Sequence, residues 1–321
     1  MYARIATALK LPEKQVRTVV ELLDRGATVP FIARYRKELS GGMDEVAVAA
    51  VRDAAASMRA LEARRGAVIR SLEERGLLTP EIRREVEGAE TLTRLEDVYL
   101  PYRPRRRDRA AIAEERGLAP LAEELLRQRG GDPVAAAALF VAPEKGVASP
   151  EDALQGARDI IARRAVEDLE TREAVRRLYR REAVYDCRVI PGKEEQGRKF
   201  RDWFAWREPV AGAPSHRVLA MRRGEKELVL NLSVSVQEDK AVALMEKRFI
   251  RRRETPEAAH VARALTDGFR RLLGPQMETE IRAESRERAD REAVRLFALN
   301  LENLLMAPPL GRRRVAGVDP G

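Results

Sequence analysis

Cysteine, histidine and aromatic residues are scarce in this chain, and each scarcity removes a class of chemistry. The single thiol, Cys187, excludes an internal disulfide and a cysteine-rich zinc site. His216 and His260 are the only histidines, so an imidazole-based metal centre has little to draw on. Aromatics make up 5% of the residues, against 35% charged. No stretch approaches the ~20 consecutive apolar residues of a membrane-spanning helix, and the opening MYARIATALKLPEKQ carries no apolar signal core. These absences predict a cytoplasmic protein with no metal, no cofactor and no membrane partner.

What is abundant is Arg, Ala, Glu and Leu, residues that favour helix over sheet, so the fold class expected is mainly α. At 321 residues the chain has room for roughly two domains of the usual ~150 residues. The formal net charge of +9 favours an anionic partner, with nucleic acid ahead of membrane. The excess is modest for so charged a chain, and an arginine-rich genome produces the same bias without a ligand.

The densest signal is Gly26 to Glu45, GATVPFIARYRKELSGGMDE. Pro30 suits a first helical turn, because a proline there loses only a donor that the helix never uses. Phe31, Ile32 and Tyr35 are expected to share one face, with Arg34, Arg36 and Lys37 largely off it. Gly41-Gly42 ends the segment, and Asp44 caps the next helix. A short, basic, glycine-bounded helix between two longer ones is the layout of a helix-turn-helix module. A tight helical corner with solvated cations has the same layout.

Around this stretch the chain predicts two helices over 3–25, broken at Leu11-Pro12, and a long helix from about Glu45 to Arg75 whose apolar seam is interrupted at Arg65. Thr79-Pro80 opens another helix, and Thr93 to Glu96 has capping-box spacing. Asp108, Ala119-Pro120, Asp132-Pro133 and Ser149-Pro150 each start a further helix. Val184 to Ile190 alternates as a strand. Arg217–Met221 and Glu227–Val236 are expected to form a small β-ribbon turning at Arg223-Gly224-Glu225. Helices resume at Asp239, with breaks near Thr255-Pro256 and Gly274-Pro275.

Several blocks resemble the bacterial Tex family of RNA-binding transcription accessory proteins. They are TVPFIARYRKE followed by GGMDE, then TRLEDVYLPYRPRRR, SHRVLAMRRGEKE and LFALNLENLLMAPPLGRRRVAGVDPG, in the family's order from Thr28 to Gly321. The resemblance implies a helical N-terminal region with a helix-turn-helix-like element over 1–190. A central region with the β-ribbon would follow over 191–310, and the start of an RNase H-like domain over 311–321. In the whole protein it implies the rest of that domain, helix-hairpin-helix elements and an S1 RNA-binding domain. The closing RRRVAGVDPG resembles the first strand of an RNase H-like domain, where a carboxylate at the place of Asp319 can hold a metal. The family's domain is generally regarded as lacking a full catalytic set. Without downstream partner strands, Arg312–Gly321 is expected to lie loose or extended on the surface, and Gly321 is not expected to be the natural end of the protein.

The candidate nucleic-acid contacts fall in two clusters. Arg34, Arg36 and Lys37 form one. Arg103, Arg105, Arg106, Arg107 and Arg109 form the other, in a Tyr99–Arg109 connector that prolines hold extended and whose tyrosines could stack on bases. For the connector the alternative is that Tyr99 and Tyr102 are buried and the arginines pair with nearby Glu side chains. Lys247, Arg248 and Arg251–Arg253 form a third group, for which a structural role is expected. Ser215, His216 and Glu225 lie close in sequence, but nothing orients His216 and no nucleophile turn is present. No catalytic residue is assigned, because Asp319 alone cannot make a two-metal site. The function expected is nucleic-acid binding, to RNA or DNA, in transcription, without catalysis. The alternatives are a scaffold docking on RNA polymerase or other transcription proteins, and the N-terminal part of an RNase H-like nuclease.

Overall fold

A computed structural model describes residues 1–104, 107–309 and 311–319. The chain divides into two compact units, Met1–Arg105 and Arg106–Gly321.

In the first unit, α1 (Tyr2–Leu9) stops where Lys10 turns left-handed at φ 53°, and Pro12 precedes α2 (Glu13–Asp24). Next come α3 (Val29–Tyr35), α4 (Lys37–Ser40), α5 (Glu45–Glu74), α6 (Pro80–Gly88) and α7 (Leu92–Tyr99). Side-chain caps set these starts: Thr28 accepts from the Phe31 amide, Asp44 from Ala47 and Thr79 from Ile82. The cap of α7 is Thr91, which accepts from the Arg94 amide, rather than the expected Thr93. With the cap at Thr91 the third helical residue is Arg94, so Glu96 is out of place for a capping box and pairs with Arg64 on α5. The core joins Ile5 of α1 and Val16, Val19 and Val20 of α2 to Ile32 of α3 and Val48, Val51 and Ala55 of α5.

The second unit opens with α8 (Arg109–Glu115), α9 (Ala119–Arg127) and α10 (Pro133–Ala138). These three short helices pack against α11 (Pro150–Glu167), as α15 (Pro256–Gly268) does later in the chain. Enclosed on several sides, α11 buries eight apolar side chains from Ala153 to Val166. It also buries Arg158 and Arg163. Arg158 is paired with Glu151 at 2.5 Å, and Arg163 with Asp108 at 3.2 Å and with Glu114. Part of the arginine excess is therefore internal structure.

After α12 (Leu169–Glu182), β1 (Val184–Val189) is the middle strand of an antiparallel sheet in the order β2-β1-β3, with β2 (Ala205–Pro209) and β3 (Leu230–Ser235) at the edges. The strand expected at Arg217–Met221 is instead part of a helix, α13 (Ser215–Lys226). Leu, Ala, Met, Arg, Glu and Lys all propagate helix, and Val218, Met221 and Gly224 supply a buried stripe at three-residue spacing. Gly224 makes no turn. It lets α13 approach the sheet, because a Cβ there would fall 2.4 Å from Leu230 Cδ1. The expected boundary at residue 190 falls within this sheet, between β1 and β2.

Following β3 is α14 (Glu238–Phe249), and α15 runs on into α16 (Gly274–Leu305). The break expected at Gly274-Pro275 does not occur. A π-helical turn, Phe269–Leu273, carries the chain through. A proline lacks the amide that would bond the preceding turn, and a locally widened turn accommodates that loss. Met277, Ile281, Ser285 and Ala289 seat the first half of α16, which also lays Glu278 on the Val234 amide and Arg282 on the Leu232 carbonyl of β3. Val294, Phe297, Leu301, Leu304 and Leu305 are exposed on its second half. Residues 311–319 are exposed and form no strand, as expected for Arg312–Gly321 over the residues described.

Candidate nucleic-acid interface

The site builds outward from α3. Val29, Ile32 and Ala33 turn toward the core of the first unit, Ile32 and Ala33 fully. Phe31 and Tyr35 were expected to share their face with Ile32 and do not. At 100° per residue, an inward stripe of 29, 32 and 33 sends 31 and 35 outward together. Phe31 is 39% exposed and Tyr35 70%, and their ring centres stand 5.7 Å apart with planes inclined by 38°.

The cations surround this pair in different states. Arg34 is tied to Glu45, with nitrogens 2.9 and 3.0 Å from one carboxylate oxygen. Both partners are solvated, so the tie is worth only about 0.2–1 kcal/mol. Arg36 places its guanidinium 5.1 Å from the centre of the Phe31 ring and donates to the Tyr35 carbonyl at 3.3 Å. Lys37 begins α4 and is exposed. Among the described residues neither Arg36 nor Lys37 pairs with a carboxylate. Gly41 and Gly42, at φ 68° and 78°, then take the left-handed turn into Asp44 and α5.

Of the two readings open for the connector, the one with the tyrosines turned inward fits Tyr99. Tyr99 is buried at the end of α7, its hydroxyl 2.9 Å from Ser71 Oγ, and Leu100–Tyr102 forms a 3-10 turn. Tyr102 is half-buried, with Arg75 donating to its carbonyl, and burial followed by the nearby Glu85 pushes its hydroxyl pKa up. The Tyr99 ring is therefore not available to stack on a base. Arg103 is exposed, while Arg105 and Arg106 lie outside the described residues. Arg107 pairs with Glu115 at 2.8 Å, both exposed, and Arg109 is exposed in the first turn of α8. In the third group Arg248 pairs with Glu170, Arg252 with Glu254 and Arg253 with Glu246, a structural use. Ser215 is buried at the start of α13 while His216 is exposed, and among the described residues no cluster of His, Cys, Asp and Glu could hold a metal.

Placing Phe31 and Tyr35 on the face of Ile32 leaves the aromatic half of the site out of view. The signal that separates them was present in the three-and-four spacing of Val29, Ile32 and Ala33, a complete inward stripe without them.

The family model described as the Tex-like protein N-terminal domain matches residues 1–73, which hold α3 and α4. The model described as Tex central region-like matches residues 128–297, more than half of the chain. Protein tex of Bordetella pertussis is 41% identical over 332 residues, covering 99% of this chain and 42% of that protein. The transcriptional accessory protein Tex of Neisseria gonorrhoeae is 40% identical over 312 residues, covering 96% of this chain and 41% of that protein. The human S1 RNA-binding domain-containing protein 1 is 27% identical over 317 residues, 94% of this chain and 32% of its own length. The chain thus spans about two fifths of its bacterial relatives. By sequence along nearly its whole length, it belongs to the Tex family.

Proposed function

We propose that this chain binds nucleic acid, RNA or DNA, as part of a transcription accessory protein of the cytoplasm, and that it catalyses no reaction itself. The observation that carries the reading is the pair of exposed cations, Arg36 and Lys37, standing beside solvent-facing aromatic rings without a carboxylate partner among the described residues. The names of the relatives, one a transcriptional accessory protein and one an S1 RNA-binding domain protein, support the same class of ligand. Arg34, Arg103, Arg105, Arg106, Arg107 and Arg109 add positive charge along the chain, in a mode that is electrostatic and weakly specific. The succession of α2, a turn at Gly26 and the short α3 supports a helix-turn-helix-like element.

Titration of labelled single- and double-stranded RNA and DNA with the chain tests this directly. Saturable binding that weakens with salt is expected, and no binding to any of the four at low salt contradicts it. Magnesium- or manganese-dependent cleavage, abolished by Asp319→Asn, would replace it with the nuclease reading. The scaffold reading is favoured by the second half of α16, whose exposed Phe297, Leu301, Leu304 and Leu305 suit contact with protein.

A further inference from the structure

We infer that Phe31 and Tyr35 form a stacking platform for the unpaired bases of a single-stranded nucleic acid, with Arg36 and Lys37 holding its phosphates; the inference rests on the nucleic-acid reading above. Exposed aromatics are few: among the described residues only Phe31, Tyr35 and Phe297 have that status. Two of the three sit one helical turn apart with their rings in contact. A scattered exposed ring needs no explanation, but a paired set held by a capped helix is a preformed surface.

The charge around the pair selects the partner. From Gly26 to Lys37 the chain carries three cations and no carboxylate; Glu38 follows, and Glu45 is taken up by Arg34, which leaves Arg36 and Lys37 beside the rings. Arg36 already rests on the Phe31 ring at 5.1 Å, so the more exposed Tyr35 presents the open ring face. A base laid on Tyr35 leaves its phosphates within the reach of flexible Arg36 and Lys37 side chains, the combination of aromatic face and cation that single-strand sites use. A duplex keeps its base faces stacked inside and offers none to a ring. Two rings protruding from the solvent face of α3 are therefore of use to a single strand and of little use to the phosphates of a duplex.

The test compares a 20-nucleotide oligo(dT), an oligo(U) of equal length and a 20-base-pair duplex, each labelled, against the whole chain at 50 mM and higher salt. Tyr35→Ala, at so exposed a position, should keep the wild-type melting temperature. It should lose about tenfold or more in single-strand affinity, from the stacking of one base, with the duplex unchanged and the slope of log affinity on log salt unaltered. Tyr35→Trp should retain the affinity, and the Arg36→Ala/Lys37→Ala double variant should flatten the slope. Unchanged single-strand affinity of Tyr35→Ala overturns the platform while the nucleic-acid reading stands, and the ring pair is then a protein-facing surface. An equal loss on duplex and single strand also overturns it. Failure of the unmodified chain to bind any of the three at 50 mM salt overturns both readings.

Discussion

Arg65, buried in the middle of α5, donates from Nη2 to the Ala89 carbonyl at 2.7 Å and from Nε to the Val86 carbonyl at 3.2 Å. One guanidinium thus satisfies two acceptors at the end of α6 and secures that end to the long helix. The same arginine interrupts the apolar seam of α5 when the sequence is read by pattern alone. It is a clamp that the pattern cannot show.

Arg65→Met should therefore destabilise the first unit, because the buried Ala89 carbonyl loses its donor at a cost of about 1–3 kcal/mol, while the Val86 carbonyl keeps the Ala89 amide at 3.4 Å. Arg65→Lys should fall between, since an ammonium lacks the planar fork that spans both oxygens. Amide exchange across Val86–Tyr99 is the check. Protection there should drop in the methionine variant while α1 and α2 keep theirs.

Gly224→Ala tests the replacement of the expected ribbon by α13. The new methyl would meet Leu230 Cδ1 at 2.4 Å and Phe200 Cδ1 at 3.3 Å, both residues in the core. Alanine gains roughly 1 kcal/mol of helix propensity over glycine. Overpacking costs about 1–3 kcal/mol, so the balance should be destabilising, by up to about 2 kcal/mol. A lowered denaturation midpoint is expected. A raised one would mean that α13 does not press on β3.

The legible part of the fold is the part written in local chemistry. Asp44, Thr79-Pro80 and Ser149-Pro150 start helices because a cap acts within three residues of itself, and each start falls where the pattern places it. What the pattern leaves open or misplaces depends on partners more than one helical turn away. Of the two readings of Tyr99, burial is the one realised, and Ser71, 28 residues earlier, meets its hydroxyl. Thr91 takes the cap in place of Thr93, and Glu96 instead reaches Arg64, 32 residues earlier. Gly224 looks like a turn until Leu230 is seen against it. In the candidate site the cations were evident and the outward pair of rings was not, because the three-and-four spacing also allows Phe31 and Tyr35 a common face with Ile32.

His260 provides a pH prediction. Burial, then the neighbouring Arg158 and Arg263, hold its imidazole below the ordinary value, against an opposing pull from Glu151. Arg158 lies 3.2 Å from Nδ1, and an arginine can only donate, so that nitrogen accepts and the ring is neutral. The unfolded chain protonates near the ordinary pKa of about 6.5 while the folded chain does not. Stability should therefore fall as pH drops from about 6.5 toward the lower folded value. Denaturation at pH 7.5 and 5.5 should show a smaller loss for His260→Gln than for the unmodified chain. Equal losses would mean that His260 takes up its proton as readily in the folded state.

The most direct measurement is the salt dependence of nucleic-acid affinity. Anisotropy of labelled RNA and DNA is followed from 50 to 200 mM salt for the chain and for Arg105→Ala/Arg106→Ala/Arg107→Ala. Cations on phosphates release counterions, so log affinity should fall linearly with log salt, by about 0.9 per neutralised phosphate on duplex DNA and about 0.7 on single strands. The unmodified chain should show that line, and the triple variant a weaker affinity with a shallower slope. A slope unchanged in the triple variant would remove the connector from the site. Absence of binding at 50 mM, or affinity indifferent to salt, would contradict the assignment of this chain as a nucleic-acid-binding protein.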